Sequence, residues 1–173
     1  MVRKINIGSD VFQIPTWINI DIRASVKPTA VMNTLHIGFK NSSVEEINIS
    51  NVLEHLYYED IKTALRECYR ILISACPIFM ICPLVDIAEN CYKRGEIDEA
   101  TFNHIIEGDE DGPGKHRTQL RQGDLERLAT ECGFVALERI DLNVYPFIVV
   151  SDTKNPKPDP WQYGVKAYKP IAY

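Results

Sequence analysis

The sequence predicts an α/β protein with an open, mostly parallel sheet, helices on both faces and an antiparallel last strand. Three observations predict this fold class. Short apolar segments alternate with segments of helical spacing, one strongly apolar run lies between two prolines, and two strand-like segments come late in the chain. Alternating strands and helices are typical of parallel sheets, because a parallel crossover needs a long connection. The late strands favour an antiparallel insertion.

The first half of the chain contains four short strand candidates and one helix. The strand candidates cover residues 4–8, 17–22, 29–33 and 44–50, with a polar break at 40–43. Residues 57–72 are predicted to be helical, because apolar side chains recur there at intervals of three to four residues. These apolar residues are Ile61, Leu65, Cys68 and Leu72.

The second half continues this alternation. Residues 78–82 (IFMIC) have the length and composition of a buried central strand, and helical spacing follows at 85–95. Residues 107–118 (EGDEDGPGKHRT) predict a loop long enough to be functional. A helix at 122–132 is predicted to end at Gly133 in a left-handed cap. The remaining candidates are a strand within 134–142, an apolar run at 146–150, a proline-rich loop at 151–160 and a final strand at 162–168.

Composition narrows the class of protein. A chain of 173 residues with 45% hydrophobic and 25% charged residues fits one folded domain spanning residues 1–173. A net charge of -5 argues against a general nucleic-acid binder, which needs a clustered basic surface. The five cysteines form no C-x-x-C pair, so we expect reduced thiols, no metal site and a cytoplasmic location. No apolar segment approaches the roughly 20 residues that span a membrane.

Six segments stand in the order typical of class I S-adenosylmethionine-dependent methyltransferases. They are INIGSD (5–10), WINIDI (17–22), NVLEHL (51–56), CPLVDI (82–87), GKHRT (114–118) and LERLATECGF (125–134). The set covers about residues 4–169, and it most resembles a small bacterial and viral branch often found with glycan genes. The resemblance implies a Rossmann-like doubly wound sheet, S-adenosylmethionine as cofactor, and a small hydroxylated molecule or glycan as methyl acceptor. It implies nothing about the oligomeric state.

The candidate cofactor residues follow the first four predicted strands, because ligands of such sheets bind at the carboxyl ends of the strands. Gly8, Ser9 and Asp10 form the first turn. Asp21 ends the second strand, where its carboxylate can accept hydrogen bonds from the ribose diol. The resemblance further implies that Asn33, Thr34 and Leu35 contact the adenine, and that Ser50 and Asn51 line the methionine half of the cofactor.

The candidate catalytic residues are Glu54, His55 and His116. The resemblance places the Glu-His pair where the acceptor and the sulfonium meet, and His116 above the acceptor pocket. A carboxylate can stabilise the cationic sulfonium, and a histidine can take a proton from a hydroxyl group because its pKa lies near neutrality. Asp86 resembles the acid that the family has after its fifth strand, displaced by one residue.

Several of these candidates also have a purely structural interpretation. Asp21 can be a turn or cap aspartate, and Asn33 an ordinary loop residue. His55 can pack at a helix start, and His116 can be a solvated loop side chain. These interpretations stay open at the level of the sequence.

The sequence also departs from the family pattern. Asp10 replaces the second glycine of the first turn, and Ile73-Ser74-Ala75-Cys76-Pro77 replaces a P-G-G turn. Aspartate tolerates the left-handed region better than most residues, but its charge would repel the methionine carboxylate. Two alternatives therefore accompany the enzyme. One is a methyltransferase-fold protein that lost its cofactor and serves as a binding or partner module. The other is a nucleotide-linked protein such as a reductase, which would need a G-x-G-x-x-G turn.

Overall fold

The computed structural model describes residues 3–145 and 158–171 of the chain. The strands are β1 (Lys4–Ile7), β2 (Ile18–Asp21), β3 (Ala30–Val31), β4 (Glu46–Ser50), β5 (Pro77–Pro83), β6 (Val135–Arg139) and β7 (Gln162–Tyr168). They form one sheet in the order β3-β2-β1-β4-β5-β7-β6. Strands β1 to β5 pair in parallel, and β7 runs antiparallel to both of its neighbours. The predicted fold class is confirmed.

Four α-helices connect these strands. They are α1 (Tyr58–Ile71), α2 (Val85–Lys93), α3 (Glu99–Glu107) and α4 (Asp124–Glu131). Short 3₁₀ turns lie at Ala24–Val26, Leu53–His55 and Gly112–Gly114. Helix α1 joins β4 to β5, and the other three helices lie between β5 and β6. The connection 8–17 between the parallel strands β1 and β2 contains no helix, so the first turn leads directly into an irregular segment.

The main core lies between the sheet and two of the helices. Helix α1 buries the face that the sequence predicted, and α4 packs against α1 and against the last two strands. Isoleucines of the central strands complete this core, among them Ile5, Ile7, Ile47 and Ile49, all at most 1% exposed. Helix α4 ends as predicted, since Gly133 has a φ of 95° directly after the cap residue. Helices α2 and α3 pack mainly against each other.

The triplet Ile-Asn-Ile occurs in β1, β2 and β4, and its asparagines form a buried ladder across the sheet. Asn6 lies in register with Asn19 and with Asn48. Its Nδ2 donates to Asn19 Oδ1 at 3.0 Å, and Asn48 Nδ2 donates to Asn6 Oδ1 at 2.8 Å. The side chains of a strand alternate between its two faces, so a slip of one residue would bring these amides onto the isoleucine face. The ladder therefore specifies the register of the three strands.

Replacing Asn6 with alanine is expected to lower the free energy of unfolding by about 2 kcal/mol, because a buried amide of Asn48 then loses its acceptor. Urea denaturation monitored by circular dichroism measures this change. Gln13→Ala serves as the control, since the Gln13 side chain also bonds to backbone carbonyls but at an exposed position. An Asn6 variant as stable as the control would show that the ladder adds no stability.

Some sequence expectations need correction. The helix predicted at 85–95 ends at Lys93, and α3 was not predicted at all. Only Ile105 of α3 is buried, so its apolar periodicity is weak, and its start depends on the Asp98 side chain accepting from Thr101 N. The third strand is shorter than predicted, with two residues. The apolar run at 146–150 and most of the loop 151–160 lie outside the described residues.

Within the described ranges, no helix is both long enough and apolar enough to cross a membrane.

Candidate cofactor and acceptor site

The first turn is built around Gly8. Its φ is 66°, and a Cβ placed on it would overlap Cγ2 of Val52, which follows β4. The turn continues with Ser9, whose N–H donates to Ile20 O at 3.0 Å, and with Asp10 at a φ of 43°. Aspartate is one of the few side chains that adopt this left-handed conformation readily. The turn thus accommodates Asp10 where the family has glycine.

Asp21 is the centre of a small polar cluster at the end of β2. Its Oδ2 accepts from Asp10 N at 2.9 Å, and its Oδ1 accepts from Arg23 N at 2.8 Å and from Arg23 Nε at 3.2 Å. Burial acts to raise the pKa of Asp21, but these hydrogen bonds outweigh it, so the pKa lies below its usual value. Asp21 is therefore an ionised carboxylate that is only 4% exposed.

Arg23 also contacts Asp10, and this pairing was not foreseen from the sequence. Its Nη2 lies 3.2 Å from Asp10 Oδ1. The guanidinium therefore neutralises the extra carboxylate of the first turn while it holds Asp21. The available signal was a basic residue two positions after the strand-ending acid, with a second acid in the facing turn.

Four buried polar atoms without a hydrogen-bond partner lie in the segment after β1, in the last residue of β4 and in the segment that follows β4. They are Ser9 Oγ, Ser50 Oγ, Asn51 Oδ1 and Glu54 Oε2, and they make up four of the six such atoms among the described residues. Buried polar groups are nearly always paired in native proteins, because an unpaired one loses its hydration without compensation. Their concentration in two adjacent segments at one edge of the sheet makes this region the candidate binding site.

The 3₁₀ turn Leu53–His55 holds the end of the loop 107–118. Glu54 O accepts from Arg117 N at 2.8 Å and from Thr118 N at 3.1 Å. These bonds bring His116 against His55, with ring centroids 4.8 Å apart and an interplanar angle of 65°. The two histidines are far apart in the sequence, so only the tertiary structure pairs them.

In each histidine, one ring nitrogen lies within hydrogen-bonding distance of a backbone carbonyl oxygen. His55 Nδ1 lies 3.3 Å from Lys115 O, and His116 Nδ1 lies 2.8 Å from Ile105 O. A carbonyl oxygen only accepts, so these contacts assign the proton to each Nδ1, and the lone pair of a neutral ring then lies on Nε2.

The three candidate catalytic residues are desolvated. Burial lowers the pKa of His55 and lowers that of His116 to about 4, so both rings are neutral near pH 7. Burial also raises the pKa of Glu54 to about 8. Glu54 is 2% exposed. The solvated interpretation of His116 does not apply, because its ring is desolvated and hydrogen-bonded.

The remaining candidates are less enclosed. Asn33 is exposed, and its Oδ1 accepts from Leu35 N at 2.9 Å in a local turn. Thr34 and Leu35 are half-buried. Asp86 lies in the first turn of α2 and accepts from Gln122 N at 3.2 Å, a contact that ties α2 to the segment before α4.

Arg117 and Tyr57, which lie just after His116 and His55 in the sequence, form a pair of exposed side chains. The sequence did not predict this pairing. Arg117 Nη1 donates to Tyr57 Oη at 3.2 Å, and its guanidinium lies 5.1 Å from the centre of the Tyr57 ring. Tyr57 is 61% exposed. The pair places a cation and an aromatic surface next to the desolvated histidines.

No protein-family model matches the chain, and no curated protein matches it. Solved structures do match. One is a SAM-dependent methyltransferase from Methanosarcina mazei, which is 13% identical in sequence. The match covers 98% of this chain and 93% of that chain, with a TM-score of 0.67. Another is a SAM-dependent methyltransferase from Archaeoglobus fulgidus, with 15% identity, 97% and 86% coverage and a TM-score of 0.64.

A third similar structure is a complex from Haloferax volcanii between the Trm112 methyltransferase activator and its methyltransferase. Its identity is 10%, it covers 98% of this chain and 83% of that chain, and its TM-score is 0.64. At such identities the likeness establishes the fold. The protein has the fold of SAM-dependent methyltransferases, with the candidate site at the carboxyl edge of its sheet, where ligands of such sheets bind.

Proposed function

We propose that the protein is a methyltransferase that uses S-adenosylmethionine to methylate a small hydroxylated molecule or a glycan. The observation that carries the proposal is the set of unsatisfied buried oxygens on Ser9, Ser50 and Asn51. They belong to the segment after β1 and to the carboxyl end of β4, and Asp21 ends the neighbouring strand β2. A ligand with several polar groups would satisfy them.

The residues present fit this cofactor. The ribose diol would donate to Asp21, taking the place of the Arg23 side chain on Oδ1. The backbone donors from Asp10 and Arg23 would remain, and they keep the carboxylate ionised. Arg23 would stay beside Asp10 and offset its repulsion of the methionine carboxylate. Asn33 and Leu35 would lie at the adenine, and Asn51 at the methionine half.

The chemistry asked of this chain is alignment and one proton transfer. When bound, S-adenosylmethionine supplies an activated methyl group. The acceptor hydroxyl would lie at His55 and His116, whose unprotonated Nε2 atoms can take the proton as the oxygen bonds to the methyl carbon. The sulfur of the cofactor would keep the electron pair of the broken C–S bond. Holding the reactants in line and excluding water supply most of the acceleration.

We infer the class of acceptor from the two histidines and from the exposed Arg117–Tyr57 pair beside them. Two neutral histidines suit a hydroxyl group, and Arg117 with Tyr57 would suit a sugar that carries a negative charge. A cytoplasmic location, which the cysteine pattern of the sequence led us to expect, remains part of this proposal. The bacterial and viral branch often found with glycan genes remains our proposal for its closest relationship.

The alternative is a protein with the same fold that binds no cofactor and serves as a partner module. The observation that favours it is the Asp10-Asp21-Arg23 cluster, which is already internally paired. The activator bound to the Haloferax volcanii neighbour shows that a protein of this fold can have a protein partner. In this alternative the cluster is a permanent structural feature.

Titration with S-adenosylmethionine and S-adenosylhomocysteine separates the two. A ligand at a hundredfold excess over its Kd stabilises the folded state by about 2.7 kcal/mol. We expect the melting temperature to rise by the amount that corresponds to this stabilisation. Isothermal calorimetry on the same protein gives the stoichiometry, for which we expect one site. NADH is the control ligand, since the chain lacks the dinucleotide-binding turn. No shift with either sulfonium-related ligand would exclude the methyltransferase and leave the partner module.

A further inference from the structure

We infer that Glu54, His55 and His116 form a binding site for one divalent transition-metal ion. One carboxylate oxygen of Glu54 and one ring nitrogen from each histidine all lie within 4.8 Å of one another. Two imidazoles and one carboxylate are a recurrent ligand set of catalytic metal sites. The sequence does not reveal this set, because His116 is distant along the chain and no ligand motif links it to His55.

The histidines are oriented as metal ligands are. Their Nδ1 atoms lie beside the carbonyl oxygens of Lys115 and Ile105 and donate to them, which places the lone pair of each neutral ring on Nε2. Metal-binding histidines typically donate their other ring N–H to a carbonyl or carboxylate in this way, and that bond sets the tautomer and the ring orientation. Neither histidine needs to lose a proton or turn over before it coordinates an ion.

Glu54 provides an independent indication of a missing ligand. Its side chain is 2% exposed, and its Oε2 has no hydrogen-bond partner. A buried carboxylate oxygen without a partner is costly, because its hydration is lost and nothing replaces it. A cation bound between Glu54 and the two histidines would remove that cost.

The ligand set selects the kind of ion. Mg²⁺ and Ca²⁺ prefer oxygen ligands, whereas imidazoles favour Zn²⁺, Co²⁺ and similar ions. The donors around a tetrahedral zinc lie roughly 3.3 Å apart, so these side chains must close by about 1.5 Å. Three protein ligands leave at least one position open.

The open position gives the ion a role in the chemistry, and this role rests on the proposed methyl transfer. An acceptor hydroxyl bound there would have a lowered pKa, because the cation stabilises the alkoxide, and its proton would be released to water. The ion would then replace a histidine as the group that makes the oxygen nucleophilic. Metal binding itself does not depend on the methyl transfer and is tested without S-adenosylmethionine.

The test uses full-length protein without a histidine tag, treated with chelator and dialysed. Co²⁺ is the first probe, because its visible absorption reports coordination by nitrogen and oxygen ligands, and Zn²⁺ is then titrated by calorimetry. We expect one equivalent of each ion to bind. Glu54→Gln and His116→Ala should each weaken Zn²⁺ binding at least tenfold. His36→Ala is the matched control, since His36 is exposed and outside the cluster.

The outcomes are distinct. Absence of a Co²⁺ spectrum together with absence of Zn²⁺ heat would overturn the proposal, and so would an affinity that neither Glu54→Gln nor His116→Ala changes. Glu54→Gln keeps the size of the buried side chain, so it remains informative if His116→Ala fails to fold. S-adenosylmethionine binding is measured separately in the presence of chelator. If the metal-free protein binds no S-adenosylmethionine, the proposed function is excluded, and the metal result is not affected.

Discussion

Replacing Gly8 with alanine is expected to lower the free energy of unfolding by about 3 kcal/mol. Two costs combine in this value: about 1 kcal/mol for a side chain in the left-handed region and about 2 kcal/mol for overpacking. The first arises from the φ of 66°, and the second from overlap between the new Cβ and Cγ2 of Val52. Chemical denaturation gives the change directly.

Two further variants separate these costs. Gly95 has a φ of 71°, and a Cβ placed on it meets nothing within 4 Å, so Gly95→Ala should show only the backbone cost. Adding Val52→Ala to Gly8→Ala should restore part of the lost free energy of unfolding, because the smaller side chain removes the overlap. A double-mutant cycle should show this as a favourable coupling of about 1–2 kcal/mol. A Gly8 variant no less stable than the Gly95 variant would mean that the first turn does not pack tightly against the segment after β4.

Replacing Asp21 with asparagine is expected to weaken S-adenosylmethionine binding by about 30- to 100-fold, since hydrogen bonds to charged groups contribute about 1.5–3 kcal/mol each. The amide keeps one acceptor oxygen, but it presents a donor to the ribose hydroxyls. It also loses the charge that pairs with Arg23. Calorimetric titration measures the affinity, and circular dichroism checks that the variant is folded.

Glu138→Gln is the matched control for this experiment. Glu138 is an exposed acid on β6, at the opposite end of the strand order from β2 and β3. Its variant should bind S-adenosylmethionine as the unmodified protein does. If Asp21→Asn also binds with unchanged affinity, the ribose does not lie at β2, and the structural interpretation of Asp21 as a turn aspartate is correct.

The sequence predicted those elements whose signal is local. Helix α1 buries residues at intervals of three to four positions, and β5 is a continuous apolar run between prolines, so each could be recognised within its own segment. Gly133 was predicted for the same reason, because a cap depends on the few residues around it. Helix α3 was missed because it buries one residue and therefore has little apolar periodicity.

The order of motifs along the chain determined the kind of site to look for. Three of these motifs include or directly follow the end of a parallel strand: INIGSD, WINIDI and NVLEHL. The strands of a parallel sheet bring their carboxyl ends to one edge. Glycine, acid, asparagine and histidine were therefore predicted at this edge from the sequence itself. Their assignment to ribose, adenine and acceptor remains a prediction.

Only the tertiary structure decided how these residues are paired. Arg23 neutralises Asp10, His116 lies against His55, and Glu54 is buried with an unsatisfied oxygen. The Arg23 pairing has only a partial signal in the sequence and the other two facts have none, because each depends on which segments pack together and how much water they exclude. The sequence by itself determined the fold and the residue types at the sheet edge. Packing and desolvation decided their partners and protonation, and thereby brought together the donor groups on which the proposed metal site is based.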